Sequence, residues 1–208
     1  MKEKEELRLK ELKQIETDLH LNGTKYICGI DEAGRGPLAG PVVIAAVIMP
    51  EDSFIEGVND SKKVSEKKRE LLFEQIKEQA VAYYISVIDE KTIDTINILE
   101  ATKQGLTNCI KGLSTKPDLI LVDALDKIDT CGIKYESIIK GDAKVYSIAA
   151  ASILAKVTRD RMMREYSEKY PNYGFEKHKG YGTKAHIEAI KEFGPCDIHR
   201  KTFIKNFI

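Results

Sequence analysis

Asp31 and Glu32 stand side by side at the end of the apolar stretch Tyr26-Ile27-Cys28-Gly29-Ile30 and lead directly into Ala33-Gly34-Arg35-Gly36-Pro37. Two carboxylates at the end of a buried segment are expensive, because an unpaired carboxylate taken out of water must either bear its desolvation or be neutralised by a proton. A hard divalent cation with oxygen ligands relieves that cost. The Gly-Arg-Gly that follows offers main-chain amides and one guanidinium, groups suited to a phosphate or a sugar edge.

Two more acids occupy comparable places. Asp123 closes the apolar run Leu119-Ile120-Leu121-Val122, and Asp142 follows Lys140-Gly141 just ahead of the small, apolar run that starts at Ser147. Asp31, Glu32, Asp123 and Asp142 therefore form a candidate catalytic and metal-ligand set drawn from three separate segments. Two cations about 3.5 to 4 Å apart in such a set supply an activated water, charge neutralisation at phosphorus and stabilisation of the departing oxyanion. Oxygen donors without a neighbouring His or Cys cluster favour Mg²⁺ or Mn²⁺ over zinc. Structural roles stay open for two of the four. Asp142 is equally suited to the dipole of the helix beginning near Ser147, and a strand-end acid such as Asp123 commonly accepts loop hydrogen bonds. Asp160 reads as one half of an ion pair with a basic neighbour.

Candidate substrate-binding residues lie in three places. Gly34, Arg35 and Gly36 can approach a sugar closely and bridge to a phosphate. Ser61, Lys62 and Lys63 precede Lys67, Lys68 and Arg69 in the richest basic patch of the chain, although charge runs are usually solvated faces. Tyr181, between two glycines and near Lys177, His178 and Lys179, offers a ring on which a base or sugar can rest.

The elements that must position these groups alternate. Apolar residues at three- and four-residue steps predict a helix over 3–21, with Leu9, Leu12, Ile15 and Leu19 as its stripe, ended by Asn22-Gly23. Strands are predicted over 26–30, 42–49, 82–88, 119–122 and 135–139, and helices over 65–79, 94–113 and 147–169. In the third helix Ile96, Leu99, Leu106, Ile110 and Leu113 share one face. This order implies an α/β domain in which Asp123 lies at the carboxyl end of a strand, where ligands gather in open sheets. Residues 1–23 read as an N-terminal helical extension on the edge of a single domain spanning 24–208.

Composition narrows the function classes. Lys+Arg and Asp+Glu both number 33, so no global field draws nucleic acid, and binding must come from local patches. The four cysteines are widely spaced and indicate neither a zinc site nor a disulfide framework, which suits a reducing cytoplasm. The charged N-terminus and the lack of a long uncharged run suggest neither secretion nor a membrane partner.

The cluster from Gly29 to Pro41 resembles the first signature of the ribonuclease HII family, the bacterial type 2 ribonucleases H. The resemblance continues through Asn59-Asp60-Ser61-Lys62-Lys63, Leu121-Val122-Asp123-Ala124, Lys140-Gly141-Asp142, the run from Ala149 to Asp160, His178-Lys179-Gly180-Tyr181-Gly182-Thr183 and Ile198-His199-Arg200. It implies a ribonuclease H-like mixed β-sheet flanked by helices, with a C-terminal helical part that binds substrate. The four acids match the family's catalytic positions, and Tyr181 matches the residue that contacts the deoxyribose beside a ribonucleotide. The implied substrates are RNA/DNA hybrids and duplex DNA holding single ribonucleotides, cut 5' of the ribonucleotide to leave 3'-hydroxyl and 5'-phosphate ends. The rival readings are a ribonuclease HIII-like enzyme for long hybrids and a non-catalytic hybrid-binding module. The protein is read as a monomer. The tail from Lys201 to Ile208, with Phe203 and Phe207, is a possible sliding-clamp contact, with packing on its own domain as the simpler expectation.

Overall fold

The computed structural model describes residues 3–206. Its centre is a five-stranded mixed sheet in the order β3-β2-β1-β4-β5. Strands β1 (Ile27–Ala33), β2 (Val42–Ile48) and β3 (Ala82–Ile88) form an antiparallel meander, and β4 (Leu119–Asp123) and β5 (Lys134–Ile138) add in parallel beside β1. Helices α1 (Glu3–Leu21), α2 (Glu66–Gln79) and α4 (Tyr146–Lys169) cover one face, and α3 (Glu90–Gly112) covers the other. Three short helices follow, α5 (Phe175–His178), α6 (Lys184–Phe193) and α7 (Lys201–Ile204). Among the described residues no helix is long and apolar enough to cross a membrane.

Strand β2 shows why the sheet is covered on both faces. Its sequence Val-Val-Ile-Ala-Ala-Val-Ile is buried throughout. Val42, Ile44, Ala46 and Ile48 meet α3, while Val43, Ala45 and Val47 meet α1, α2 and α4. Each fully buried Val or Ile contributes about 1.5 to 3 kcal/mol by leaving water, so this strand fixes both layers at once.

Two elements depart from the sequence expectation. Strand β1 continues through Asp31 and Glu32 to Ala33, because its backbone ladder with β2 persists to the pair Ala33↔Val43 whatever the side chains carry. Helix α3 starts at Glu90, four residues early, since Asp89 caps it by accepting the Thr92 N–H at 2.7 Å. It then breaks at Asn97, which takes φ 66° and accepts the N–H groups of Leu99 and Glu100 at 3.0 and 3.1 Å. That break resets the helical phase. Leu99, expected on the inner face, is 40% exposed, and Ile93 and Ala101 are buried instead.

Helix α1 does more than sit on an edge. Leu9 and Leu12 enter the main core, and Ile15 and Leu19 pack on Ile27, Leu119, Val145 and Ile148.

The tightest layer contact lies at Gly29 in β1. A Cβ there would stand 2.2 Å from the carbonyl carbon of Ser147 and 2.4 Å from the nitrogen of Ile148, both backbone atoms of α4. Gly29→Ala must push the helix off the strand, and overpacking of this kind costs about 1 to 3 kcal/mol or more. Urea denaturation of that variant is expected to show at least that loss, with an unchanged slope.

Candidate metal and nucleic-acid site

The carboxylates meet through sheet register. Strands β1 and β4 pair in parallel from Ile27↔Leu119 to Ile30↔Val122, so Asp31 and Asp123 are the residues next in line. Both continue the rows facing α4, because Ile27, Leu119 and Leu121 pack against that side. Glu32 continues the opposite row of Cys28 and Ile30. Asp142 arrives from a single turn of 3₁₀ helix, Gly141–Ala143, just before α4. The Gly141 N–H donates to Asp123 Oδ1 at 2.7 Å, which fastens this turn to the end of β4.

Electrostatics marks the place as strained. Burial, then the charges of Glu32, Asp123 and Asp142, hold the Asp31 carboxyl well above the usual carboxylate range, although its Oδ1 accepts the Glu32 N–H at 2.7 Å. Burial also raises Glu32, against the pull of Arg35, and raises Asp142, with Asp60 and Asp123 adding to it and Lys62 opposing. Arg35 Nη1 lies 3.6 Å from Glu32 Oε1, and Lys62 Nζ lies 3.6 Å from Asp142 Oδ2. Both cations are largely exposed, so these pairs are weak.

Four buried or half-buried carboxylates with too little positive charge fit hard cations such as Mg²⁺ or Mn²⁺. Their side chains are turned toward local donors, and among the described residues no three His, Cys, Asp or Glu side chains close around one point. Asp31 and Asp123 stand at adjoining strand ends, and Asp142 lies on the turn bonded to Asp123.

Beside the acids, the turn that carries Gly34, Arg35 and Gly36 is suspended from two buried arginines. Arg200 donates to the carbonyls of Gly34, Arg35 and Gly40 at 2.6, 2.9 and 2.9 Å. Arg159 donates to those of Ala39, Pro41 and Lys179 at 3.1, 2.9 and 3.0 Å. Among the described residues neither guanidinium pairs with a carboxylate, and burial lowers Arg159 to about 10 and Arg200 to about 9. Gly34, at φ 100°, leaves the space Arg159 fills, since a Cβ there would lie 2.1 Å from its Nε. With the carbonyls drawn inward, the amides of Gly34, Arg35 and Gly36 donate to no other group among the described residues.

Tyr181 joins the same surface. It is 45% exposed, Arg159 Cζ lies 6.0 Å from its ring centroid, and its Cε1 would be 3.8 Å from a Cβ on Gly36. The bond from Leu38 N–H to Gly180 O at 2.8 Å ties the two loops together. The basic patch divides. Lys62 and Lys63 are exposed near Asp142 and Asp60, whereas Ser61 is buried, with its N–H on Ser152 Oγ at 3.2 Å. Arg69 turns inward to the carbonyls of Ser61 and Val64 and so fixes the turn that presents the two lysines. Asp160 is buried between Lys156 Nζ at 2.7 Å and Arg69 Nη2 at 3.5 Å, the ion pair expected of it. In the tail, Phe203 and Ile204 pack on the domain, and Phe207 lies outside the described residues.

Under Tyr181 runs a chain of neutral imidazoles. His186 Nδ1 faces the Tyr181 carbonyl at 2.9 Å and must donate, so its Nε2 accepts from His199 Nε2 at 3.1 Å, and His199 Nδ1 accepts the Cys196 N–H at 2.9 Å. Each contact fixes the next tautomer. No local sequence signal singles out Arg159 or His186, and His199 and Arg200 stand out only within the motif Ile198-His199-Arg200. Nothing in an isolated Arg or His announces that its partners are backbone carbonyls far along the chain.

A mixed sheet of this order, with three antiparallel and two parallel strands and acids at the ends of β1 and β4, is the ribonuclease H-like architecture. Residues 28–206 match the family model described as ribonuclease HII. Ribonuclease HII of Acetivibrio thermocellus is 57% identical over 206 residues, covering 99% of this chain and 80% of the relative. The ribonuclease H2 structure from Pyrococcus horikoshii is similar at a TM-score of 0.72 and 32% identity, over 88% of this chain and 96% of that one. The ribonuclease HII in a PCNA complex from Archaeoglobus fulgidus is similar at 0.70 and 27% identity, over 87% and 96%. The chain belongs to the ribonuclease HII family, a family of ribonuclease H enzymes.

Burial lowers His186 and His199 to about 4, from the usual 6.5 of an imidazole. In the unfolded chain both take up protons near pH 6.5, while the folded pair does so only near pH 4. The stability this pair contributes is present above pH 6.5 and is lost as pH falls toward 4, by a few kcal/mol in total. Melting curves across this window should decline from about pH 6.5, and His199→Gln should flatten that first part of the decline.

Proposed function

We propose that this protein is a divalent-cation-dependent endonuclease that hydrolyses RNA in RNA/DNA hybrids and cuts 5' of single ribonucleotides in duplex DNA. The observation that carries the reading is the parallel register that sets Asp31 beside Asp123, with the turn of Asp142 bonded to Asp123. Family membership agrees with it.

In this reading Asp31, Glu32, Asp123 and Asp142 hold two cations, Mg²⁺ or Mn²⁺. Bound there, the cations supply an activated water, neutralise charge at the attacked phosphorus and stabilise the leaving 3'-oxygen. The remaining roles belong to the chain itself. The amides of Gly34 to Gly36 and the Arg35 guanidinium hold the sugar and phosphate of the ribonucleotide, whose 2'-hydroxyl is recognised and does not attack. Lys62 and Lys63 take a backbone phosphate, with Ser61 as the buried footing of their turn. Tyr181 rests against the deoxyribose that follows, which makes the junction the recognised feature. With Phe203 and Ile204 committed to the domain core, this reading assigns no clamp contact to the described tail.

The deciding assay is cleavage of duplex DNA holding one ribonucleotide, in Mg²⁺ or Mn²⁺ against EDTA, with product ends mapped. Asp31→Asn and Asp123→Asn are each expected to lower turnover by about 10³-fold or more. Asp31→Asn should melt no lower than the parent, because it removes a desolvated, repelled charge. Near-normal turnover of either variant would overturn the assignment. Tyr181→Ala is expected to lose about 1 to 3 kcal/mol of transition-state stabilisation on the lone-ribonucleotide substrate, and an unchanged kcat/KM would remove Tyr181 from the site.

A further inference from the structure

Asp142 sits on the last turn before α4, so its placement depends on how α4 begins. The first amides of a helix have no partner within it and are usually met by a side chain at the preceding residue. Here that residue is Val145, which has nothing to offer. The acceptor comes instead from α1. Glu16, 4% exposed, accepts the Tyr146 N–H at 3.1 Å through Oε2 and the Ser147 N–H at 3.2 Å through Oε1.

Helix α1 also fixes the segment leading to Lys62. Glu5 Oε1 accepts the Gly57 N–H at 2.9 Å, Arg8 Nη2 donates to Val58 O at 2.8 Å, and Lys13 Nζ donates to the carbonyls of Glu51 and Ser53 at 2.6 and 2.7 Å. Tyr146 closes the circuit, since its hydroxyl accepts the Ile55 N–H at 2.9 Å. The same helix therefore holds the segments on both sides of the Lys62–Asp142 pair.

We infer that α1 is a positioning element of the site and that Glu16 is its positioning residue, setting the start of α4 and through it the placement of Asp142. A carboxylate suits the place because it meets two amides at once and opposes the positive end of a helix. This inference rests on the function proposed above for the four acids. Glu16 touches neither substrate nor those acids, so its loss should lower kcat and leave KM alone.

The test compares the parent with Glu16→Ala, Glu16→Gln and Ile76→Ala on the single-ribonucleotide duplex, each well below its melting temperature. Ile76, in α2, is buried in the same core and destabilises without reaching the cap. Glu16→Ala is expected to lower kcat about tenfold with KM within about twofold, as small misplacements of catalytic groups do. Its Tyr146 and Ser147 amides should exchange with solvent at least about tenfold faster than in the parent. Glu16→Gln keeps one acceptor oxygen and should recover kcat to within about threefold. Glu16→Asp, which draws the oxygens back by one methylene, carries the alanine expectation and is read if Glu16→Ala does not fold. Equal kcat for Glu16→Ala and Ile76→Ala, or no rescue by glutamine, would overturn the inference. If the parent itself does not cleave, the proposed function fails, and the exchange data still judge the cap.

Discussion

The backbone of α4 lies directly against the backbone of β1, with only the missing side chain of Gly29 between them. That contact sets the height of the helix above the sheet, and everything at the site inherits the setting. It fixes where the turn before α4 meets the end of β4, hence the bond from Gly141 to Asp123 and the position of Asp142. It also fixes where Ser152 and Arg159 project, which in turn hold Ser61 and the 34–41 loop. Ala149, Ala150 and Ala151 follow in the helix and are fully buried in the main core. A protein interior packed to crystal density transmits such a spacing without slack.

The site is built from two kinds of uncompensated charge. At the strand ends, carboxylates are crowded and short of cations. Beside them, Arg159 and Arg200 are buried with no carboxylate partner among the described residues and spend their donors on six carbonyl oxygens of neighbouring loops. Charge-assisted bonds to carbonyls make that burial tolerable, and they draw the Gly34 and Arg35 carbonyls inward. Anions and cations are thus separated by purpose. In the proposed function the acids hold metal, and the Gly34–Gly36 amides meet phosphate and sugar.

Much of the architecture was legible in the chain. The unbroken apolar, β-branched run of β2 reads as a strand, and the pairs of a strand-ending acid with an apolar run point to Asp31 and Asp123. Local signals failed where a polar side chain redirected the backbone. Asn97 broke the periodicity of α3 and sent Leu99 to solvent, and Asp89 began that helix a turn early. Helix α1 shows another kind of failure. Its hydrophobic stripe is narrow and its composition charged, so it reads as peripheral, yet Glu16, Arg8 and Lys13 spend their polar groups on loops far along the chain.

By itself the sequence determined most of the elements, the candidate acids and the chemistry open to them, because periodicity and residue type are properties of short stretches. It also carried the family's order of motifs from Gly29 to Arg200. Only the tertiary structure decided that Asp31 and Asp123 are register neighbours, that Arg159 and Arg200 hold the Gly34–Pro41 loop, and that Glu16 caps α4. Those three depend on hydrogen bonds across 90 or more residues, and a donor's sequence neighbours say nothing about which distant acceptor the folded chain will bring to it.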